Sequence, residues 1–477
     1  MKKVFLIHPI LFAIISVIII FSANVEFIPF SQLWLPLFLT GLLGTILFIS
    51  LGLIFKNFYL SALIASPFYL FFLFVGSIYA FVAELIVDWK YRYIVLLVIA
   101  IITILALSFF YYQIIIRRKT HRFLNLNKIF FAVACFILVT NLAEIAFRYK
   151  SNQREHLPNI TFSLLTANEN AVRPDIYYII LDEYASLDQI KEDYGYDNTQ
   201  FAERLKRKGF VIPKNSTTKY ASTNNSLCES LNMGKIELVN SDASSFLSKI
   251  TEFTGFVEKK DKIVMERIRN NEVVNVLKNL GYKYIHFGSW WRETKYNTHA
   301  DKNINYYGCR VNNELSALLL ESSFFRLFFI NKELYRNGIR YAFDNLNKIP
   351  SYESPKFVFF HLFLPHAPFV FKDNGESVSW RESSSLDHNS LYLGQYIFTT
   401  KMIEKTVHLI LATSKEPPII ILQSDHGSRF YPKNKHKIFC ALYLPYGGST
   451  IVDDNIMPGE IFQKIFKFYF GIDEKDL

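Results

Sequence analysis

Three short stretches of the 477-residue chain end apolar runs in residues able to do chemistry. YYIILDEY delivers Asp182 and Glu183, FFHLFLPHAPF delivers His361 and His366, and IIILQSDHG delivers Asp425 and His426. Taken singly, each has a plain structural role. A carboxylate after a strand usually caps the next helix, and a histidine among aromatics is usually a core residue, which is the default reading of His361. Acid, acid plus histidine, and His-x-Pro at the ends of three separate buried strands point instead to convergence on one site. Carboxylate oxygen and imidazole nitrogen together suit a divalent ion such as zinc or manganese. A metal alone does not define a reaction, so a nucleophile is needed. The hydroxyl-rich stretch NSTTKYASTNNSLCESLNMGK, Asn215 to Lys235, turns helical at SLCESLNM. A Ser or Thr opening that helix has free backbone N–H groups and the positive dipole end beside it, where an anionic phosphoryl or sulfuryl group would settle.

These residues need a scaffold, and the sequence after residue 173 supplies one as alternating strand and helix. DIYYIILDEY reads as a strand, and NTQFAERLKRKGF as an amphipathic helix with Asn198 as N-cap and Gly209 as stop. EVVNVLKNLGYKYIHFGS is a helix closed by Gly281 and then a strand carrying His286, whereas GKIELV is ambiguous. KFVFFHLFL, PIIILQS and IFCALYLP are strands; SLYLGQYIFTTKMIEKTVHLILATS and PGEIFQKIFKFYF are helices, the latter with Pro458 near its start. Strands that read as continuous apolar runs belong to a sheet covered on both faces. The expected fold is therefore an α/β sandwich over 174–477, with ligands at the carboxyl ends of its strands.

The first 147 residues are of another kind. Val4–Phe21, Leu33–Phe55, Phe58–Phe81, Tyr93–Ile116 and Ile129–Phe147 are each close to the ~20 apolar residues that cross a bilayer. Five transmembrane helices are expected, and the weak cleavage site in FSANVEFIPF argues against a signal peptide. Lys2, Lys3, Lys56, Arg117, Arg118, Lys119 and Arg122 fall on one side of these spans, which puts the N-terminus in the cytoplasm and everything after Phe147 outside it. Residues 148–173 read as a polar linker along the membrane surface. Of the formal charge of +10, residues 1–150 hold +8, from 12 basic and 4 acidic residues. The basicity thus goes with topology and anionic head groups, and no nucleic-acid-binding patch is expected. Cys228, Cys309 and Cys440 fall in the exported part and allow at most one disulfide; no Cys-x-x-Cys or structural zinc spacing occurs.

PDIYYIILDEY, YASTNNSLCESLNM, HLFLPHAPF and SDHG, in this order behind membrane spans, resemble the alkaline phosphatase and sulfatase superfamily. The resemblance is to the membrane-anchored sulfatase-like transferases, of the lipoteichoic acid synthase and lipid A phosphoethanolamine transferase type, and covers Pro174 to about Pro445. It implies an alkaline phosphatase-like domain, a mixed sheet with helices on both faces. It also implies metal ligation by Asp182, Asp425 and His426 together with Thr223, with Thr223 as covalent nucleophile and His366 facing the substrate. Thr223 is followed by Ser226-Leu227 and Asn232-Met233, as in such relatives, while Glu183 stands where many of them have Gly or Asp. The sulfatase motif Cys/Ser-x-Pro-x-Arg is missing: Thr223 to Leu227 stand at its place, with Cys228 five residues off, so sulfate-ester hydrolysis is not expected. Cys228 and Glu229 also depart from the small residues usual in that helix.

The implied reaction is transfer of a phospho-head group, phosphoethanolamine or phosphoglycerol, through a phosphothreonine. The donor is a membrane phospholipid, the acceptor a cell-surface glycan or lipid, and one or two divalent ions assist. His366, titrating near neutrality, would protonate the leaving alcohol and deprotonate the acceptor. Glu183, His361, Arg429 and His436 are candidates for phosphate contacts or a second metal. Two alternatives stay open: a phosphodiesterase or phosphatase in which water is the acceptor, and an inactive membrane scaffold that keeps the phosphatase-like domain.

Overall fold

The computed structural model describes residues 4–25, 28–85, 101, 120–154, 173–235, 259–289, 291–306, 314–325 and 332–473. In chain order the described α-helices of eight or more residues are α1 (His8–Ala23), α2 (Trp34–Phe55), α3 (Phe58–Leu85), α4 (Thr120–Arg154), α5 (Leu187–Tyr194), α6 (Thr199–Arg207), α7 (Thr223–Leu231), α8 (Lys259–Arg269), α9 (Glu272–Asn279), α10 (Glu314–Ser322), α11 (Lys332–Leu346), α12 (His388–Thr413) and α13 (Pro458–Phe470). The strands are β1 (Ile176–Leu181), β2 (Lys283–Phe287), β3 (Lys302–Ile304), β4 (Lys356–Leu362), β5 (Ile419–Ser424) and β6 (Cys440–Tyr443). They form two compact units, one of helices α1–α4 with α10 and one built on the sheet.

In the helical unit, Val4–Ala23, Phe30–Phe55, Phe58–Ile78 and Phe123–Lys150 are long and apolar enough to cross a membrane. The described residues thus hold four of the five expected spans. The remaining one, Tyr93–Ile116, lies outside them except for Ile101. α4 runs on to Arg154, so the start of the expected polar linker is helical. Its polar residues follow an apolar stretch without Gly or Pro to stop the helix. Polar side chains tie the bundle where lipid offers no hydrogen bonds: buried His8 lies 2.6 Å from Ser66 Oγ and 2.8 Å from Asn127 Oδ1.

α10 is the unexpected member of this unit, because its sequence lies far downstream of the spans. It packs Leu315, Leu318 and Leu319 with Val17, Phe21, Leu33 and Ile145, where α1 ends, α2 begins and α4 ends. Gly76 of α3 makes room for the chain that follows: a Cβ there would stand 2.4 Å from the Glu321 carbonyl oxygen and 2.5 Å from that of Ser323. The Phe324 N–H donates to the Phe72 carbonyl at 2.7 Å.

In the second unit six strands run in the order β3-β2-β4-β1-β5-β6, parallel except for β6, which is antiparallel to β5. All residues of β1, β4 and β5 are buried, as their unbroken apolar sequences require. Alternation sends Tyr177, Ile179 and Leu181 into one core with α5, α6, α11 and α12. Ile176, Tyr178 and Ile180 enter the other, with α7, α8, α9 and α13. The mixed sheet with helices on both faces is the expected architecture. Gly281, at φ +85°, closes α9 as expected. Asn198 stands at the α6 N-cap but makes no capping bond; its Nδ2 donates instead to the Tyr184 and Tyr396 hydroxyls. Cys228 and Cys440 are buried free thiols, and burial pushes each up to about 12. Cys309 lies outside the described residues.

Candidate active site

The sheet's register assembles the site. β1 lies between β4 and β5, with Leu181 paired to Leu362 on one side and to Ser424 on the other. The next residues of β1 and β5, Asp182 and Asp425, therefore emerge level with one another at the carboxyl edge. One ligand atom each from Asp182, Asp425 and His426 lie within 4.8 Å of one another, and all three residues are buried. His361, the penultimate residue of β4, brings its Nε2 to 3.2 Å from Asp182 Oδ2 without hydrogen-bond geometry. Its Nδ1 is bonded to the Thr294 hydroxyl at 2.8 Å, so the other ring nitrogen faces the carboxylate. His361 is thus a wall of this cluster as well as a core residue.

The chemistry of the set fits a divalent cation. Neither Asp182 carboxylate oxygen has a hydrogen-bond partner, nor has Asp425 Oδ2, although both side chains are wholly buried. Burial, and then the neighbouring Asp425 charge, hold the Asp182 carboxyl well above the usual range. Buried carboxylates left without partners are costly, and a cation would remove that cost. Asp425 Oδ1 is by contrast satisfied by the N–H groups of Glu183 (2.9 Å) and His426 (2.8 Å). Burial opposes its charge, yet His426 and His361, with these N–H groups and Thr223, hold it below the usual range. The His426 Nδ1–H donates to the Gly427 carbonyl at 2.8 Å, which leaves Nε2 to face Asp425 Oδ2 at 3.5 Å. Gly427 follows because nothing larger fits: a Cβ would lie 2.5 Å from Gln189 Oε1 and 2.9 Å from two carbonyl oxygens.

Thr223 is the first residue of α7, with its Oγ1 3.4 Å from His426 Nε2. Ser226 anchors this helix to the edge of β5, donating from Oγ to the Asp425 carbonyl at 2.6 Å. The free N–H groups of the first turn and the hydroxyl are thereby held beside the carboxylate–imidazole cluster.

The other expected site residues separate. The His366 N–H donates to the Asp182 carbonyl at 3.2 Å, its Nδ1 bonds the Ala367 carbonyl, and its ring lies tilted against Phe363. Burial, then the Arg429 charge, lower it to about 3, away from the near-neutral value expected for an acid–base residue. At neutral pH it is an uncharged ring whose Nε2 accepts. Glu183 does not turn toward Asp182: its Oε1 accepts from the Arg429 N–H (2.7 Å) and Nε (2.9 Å). His436 is exposed and bonds the Thr218 carbonyl at 3.0 Å; among the described residues no contact joins it to the cluster. Sequence reading missed the residues that hold these groups. Gln395 of α12 accepts from the Val370 and Phe371 N–H groups and donates to the His366 carbonyl, and the Tyr392 hydroxyl donates to the Glu183 carbonyl. A Gln and a Tyr inside a long helix carry no local signal of such contacts.

No protein-family model matches the chain, and no curated protein matches it. Among solved structures it is similar to the C-terminal periplasmic domain of EptC from Escherichia coli in complex with zinc. The identity is 15%, over 64% of this chain and 85% of that one, with a TM-score of 0.39. It is similar also to the integral membrane protein lipooligosaccharide phosphoethanolamine transferase A from Neisseria meningitidis, at 12% identity over 80% of this chain and 70% of that one, TM-score 0.42. A protein of the alkaline phosphatase superfamily from Vibrio parahaemolyticus matches at 11% identity over 64% of this chain and 68% of that one, TM-score 0.39.

Proposed function

We propose that this chain is a metal-dependent phosphoryl-group transferase. It moves a phosphoethanolamine or phosphoglycerol head group from a membrane phospholipid to a cell-envelope glycan or lipid through a phosphothreonine. The observation that carries this reading is the Thr223 hydroxyl at the start of α7, 3.4 Å from His426 Nε2 and beside two buried carboxylates. Asp182, Asp425 and His426 would hold the ion, zinc or manganese, with Thr223 completing the set. A bound dication supplies Lewis acidity that eases ionisation of the Thr223 hydroxyl and offsets charge on the phosphoryl oxygens.

The chain's own groups do the rest. Thr223 Oγ1 bonds to phosphorus as the bond from phosphorus to the lipid's glycerol oxygen breaks, and the proton lost by the threonine is matched by that gained by the diacylglycerol. The acceptor hydroxyl, oriented by a hydrogen bond to the neutral His366 Nε2, then attacks phosphorus, and the proton it loses is matched by the one that the leaving Thr223 oxygen gains. The helix start aims N–H groups at the phosphoryl oxygens throughout.

Intact-mass spectrometry of the membrane-inserted protein incubated with bacterial lipid extract tests this. Thr223 should gain the mass of the head group, and Thr223→Ala should lower head-group transfer by on the order of 10³-fold or more. Transfer at the wild-type rate by folded Thr223→Ala protein would overturn the reading. The adduct with water as sole acceptor would make the chain a hydrolase.

A further inference from the structure

Glu183 combines two features that a structural role does not call for. Its φ is +63°, a left-handed conformation that glycine adopts freely and a Glu does not. Its side chain is 1% exposed, so a carboxylate has been placed in the interior at a position where backbone conformation favours no side chain at all. Both costs are borne for one partner. The carboxylate takes the backbone N–H and the Nε of Arg429, at 2.7 and 2.9 Å, with Oε2 at 3.0 Å from the same Nε.

This grip fixes the arginine by its inner edge. The Arg429 side chain remains 49% exposed, and among the described residues nothing else bonds its guanidinium, so Nη1 and Nη2 face outward unpaired. The charge is felt at Asp182 and at His366, one on the metal cluster and the other on the proposed acceptor side. The backbone of Glu183 is tied as firmly, its N–H to Asp425 Oδ1 and its carbonyl to the Tyr392 hydroxyl. The carboxylate is thus built on the same rigid turn as the metal ligands.

We propose that Glu183 is a positioning residue that makes Arg429 a fixed anion-binding arm, whose free Nη groups take a phosphoryl oxygen of the substrate ester. The arm selects esters that keep a negative oxygen on phosphorus. A planar guanidinium suits that oxygen because two parallel N–H groups meet it at a set angle, and holding Nε beforehand lowers the ordering cost on binding. The inference rests on the phosphoryl-transfer reading, and its test separates the two.

The test is calorimetric binding of inorganic phosphate to the full chain in detergent, with zinc present, alongside thermal melting, metal content and kinetics of diacylglycerol release from phosphatidylethanolamine–phosphatidylglycerol vesicles. Arg429→Ala and Glu183→Gly should each weaken phosphate binding about tenfold, the loss of one charge-assisted contact. The double variant should be no weaker than either single one. KM for the vesicle lipid should rise by a similar factor with kcat within about threefold. Glu183→Gly should keep its metal and melt no lower than wild type, since glycine relieves the backbone. Glu183→Gln, which retains the side chain, should bind phosphate at an intermediate strength. Wild-type phosphate affinity in Glu183→Gly or Arg429→Ala, or a lowered melting temperature in Glu183→Gly with affinity intact, would overturn the proposal. Arginine-dependent phosphate binding without lipid turnover by the wild type would support the arm and sink the transferase reading alone.

Discussion

Asp182 is the residue on which the candidate site turns, because its carboxylate is buried with no hydrogen bond to either oxygen. At neutral pH its ionised form weakens the metal-free fold, and the second carboxylate of Asp425 adds to that. Asp182→Asn should therefore raise the melting temperature of the metal-free protein by about 2–6 °C, relieving about 1–2 kcal/mol of unpaired charge. It should also abolish the further rise that zinc or manganese gives the wild type. Melting curves with and without chelator check both, and a lowered metal-free melting temperature would mean that the carboxylate is not strained. Asp182, Asp425 and His426 stood out in the sequence because strand ends are local features with local signals, whereas Thr223 was singled out among the hydroxyls of its stretch by the resemblance alone. The division of labour around them was not legible there. Which carboxylate faces the His426 cluster and which holds Arg429 depends on the left-handed turn at Glu183, and a Glu there hides a conformation that a Gly would have announced.

At the level of elements, β1, β2, β4, β5 and β6 could be placed from their apolar runs, and α6, α7, α9, α12 and α13 from period and caps, while α5 and α11 were not read as helices. β3, with three residues, and α8, with polar ends and little apolar content, offered no such pattern. β2 carries a feature whose effect is measurable. His286 is 1% exposed, stacks on Phe359 at 5.7 Å between ring centroids, and has no partner for either ring nitrogen. Burial, helped by Arg269 and His361, lowers it to about 3 from an ordinary 6.5. As pH falls below 6.5 the unfolded chain takes up a proton that the folded strand refuses, so stability drops from pH 6.5 to about 3. The slope for this group approaches about 1.4 kcal/mol per pH unit. His286→Phe keeps the stacking and removes the titration. Its stability should fall less steeply than that of the wild type between pH 6 and 4 in urea titrations, and parallel curves would refute the assignment.

For the whole molecule, the contrast between an apolar N-terminal part and an α/β remainder was plain from composition, yet the two units do not divide at one point of the chain. α10 belongs to the helical unit, where Leu315 and Leu319 pack against residues of α1, α2 and α3. Nothing in ELSALLLES separates such a helix from one covering a sheet, since both present an apolar stripe. A chain beginning at residue 173 should consequently behave poorly in water, because it carries this stripe and the exposed Phe324 and Phe325 without their partners. Size-exclusion chromatography should show it associated or bound to detergent, and Leu318→Glu with Leu319→Glu should shift it to monomer. A monomeric unmodified fragment would contradict that view.

The seat for α10 on Gly76 also sets an order of events during synthesis. The ribosome delivers α1 to α4 first, and the seam beside Phe72 and Gly76 then waits while all the residues between α4 and α10 are translated. At ordinary elongation rates that interval is on the order of ten seconds. Throughout it, the residues of α3 that Phe324 and the end of α10 cover stay without that cover.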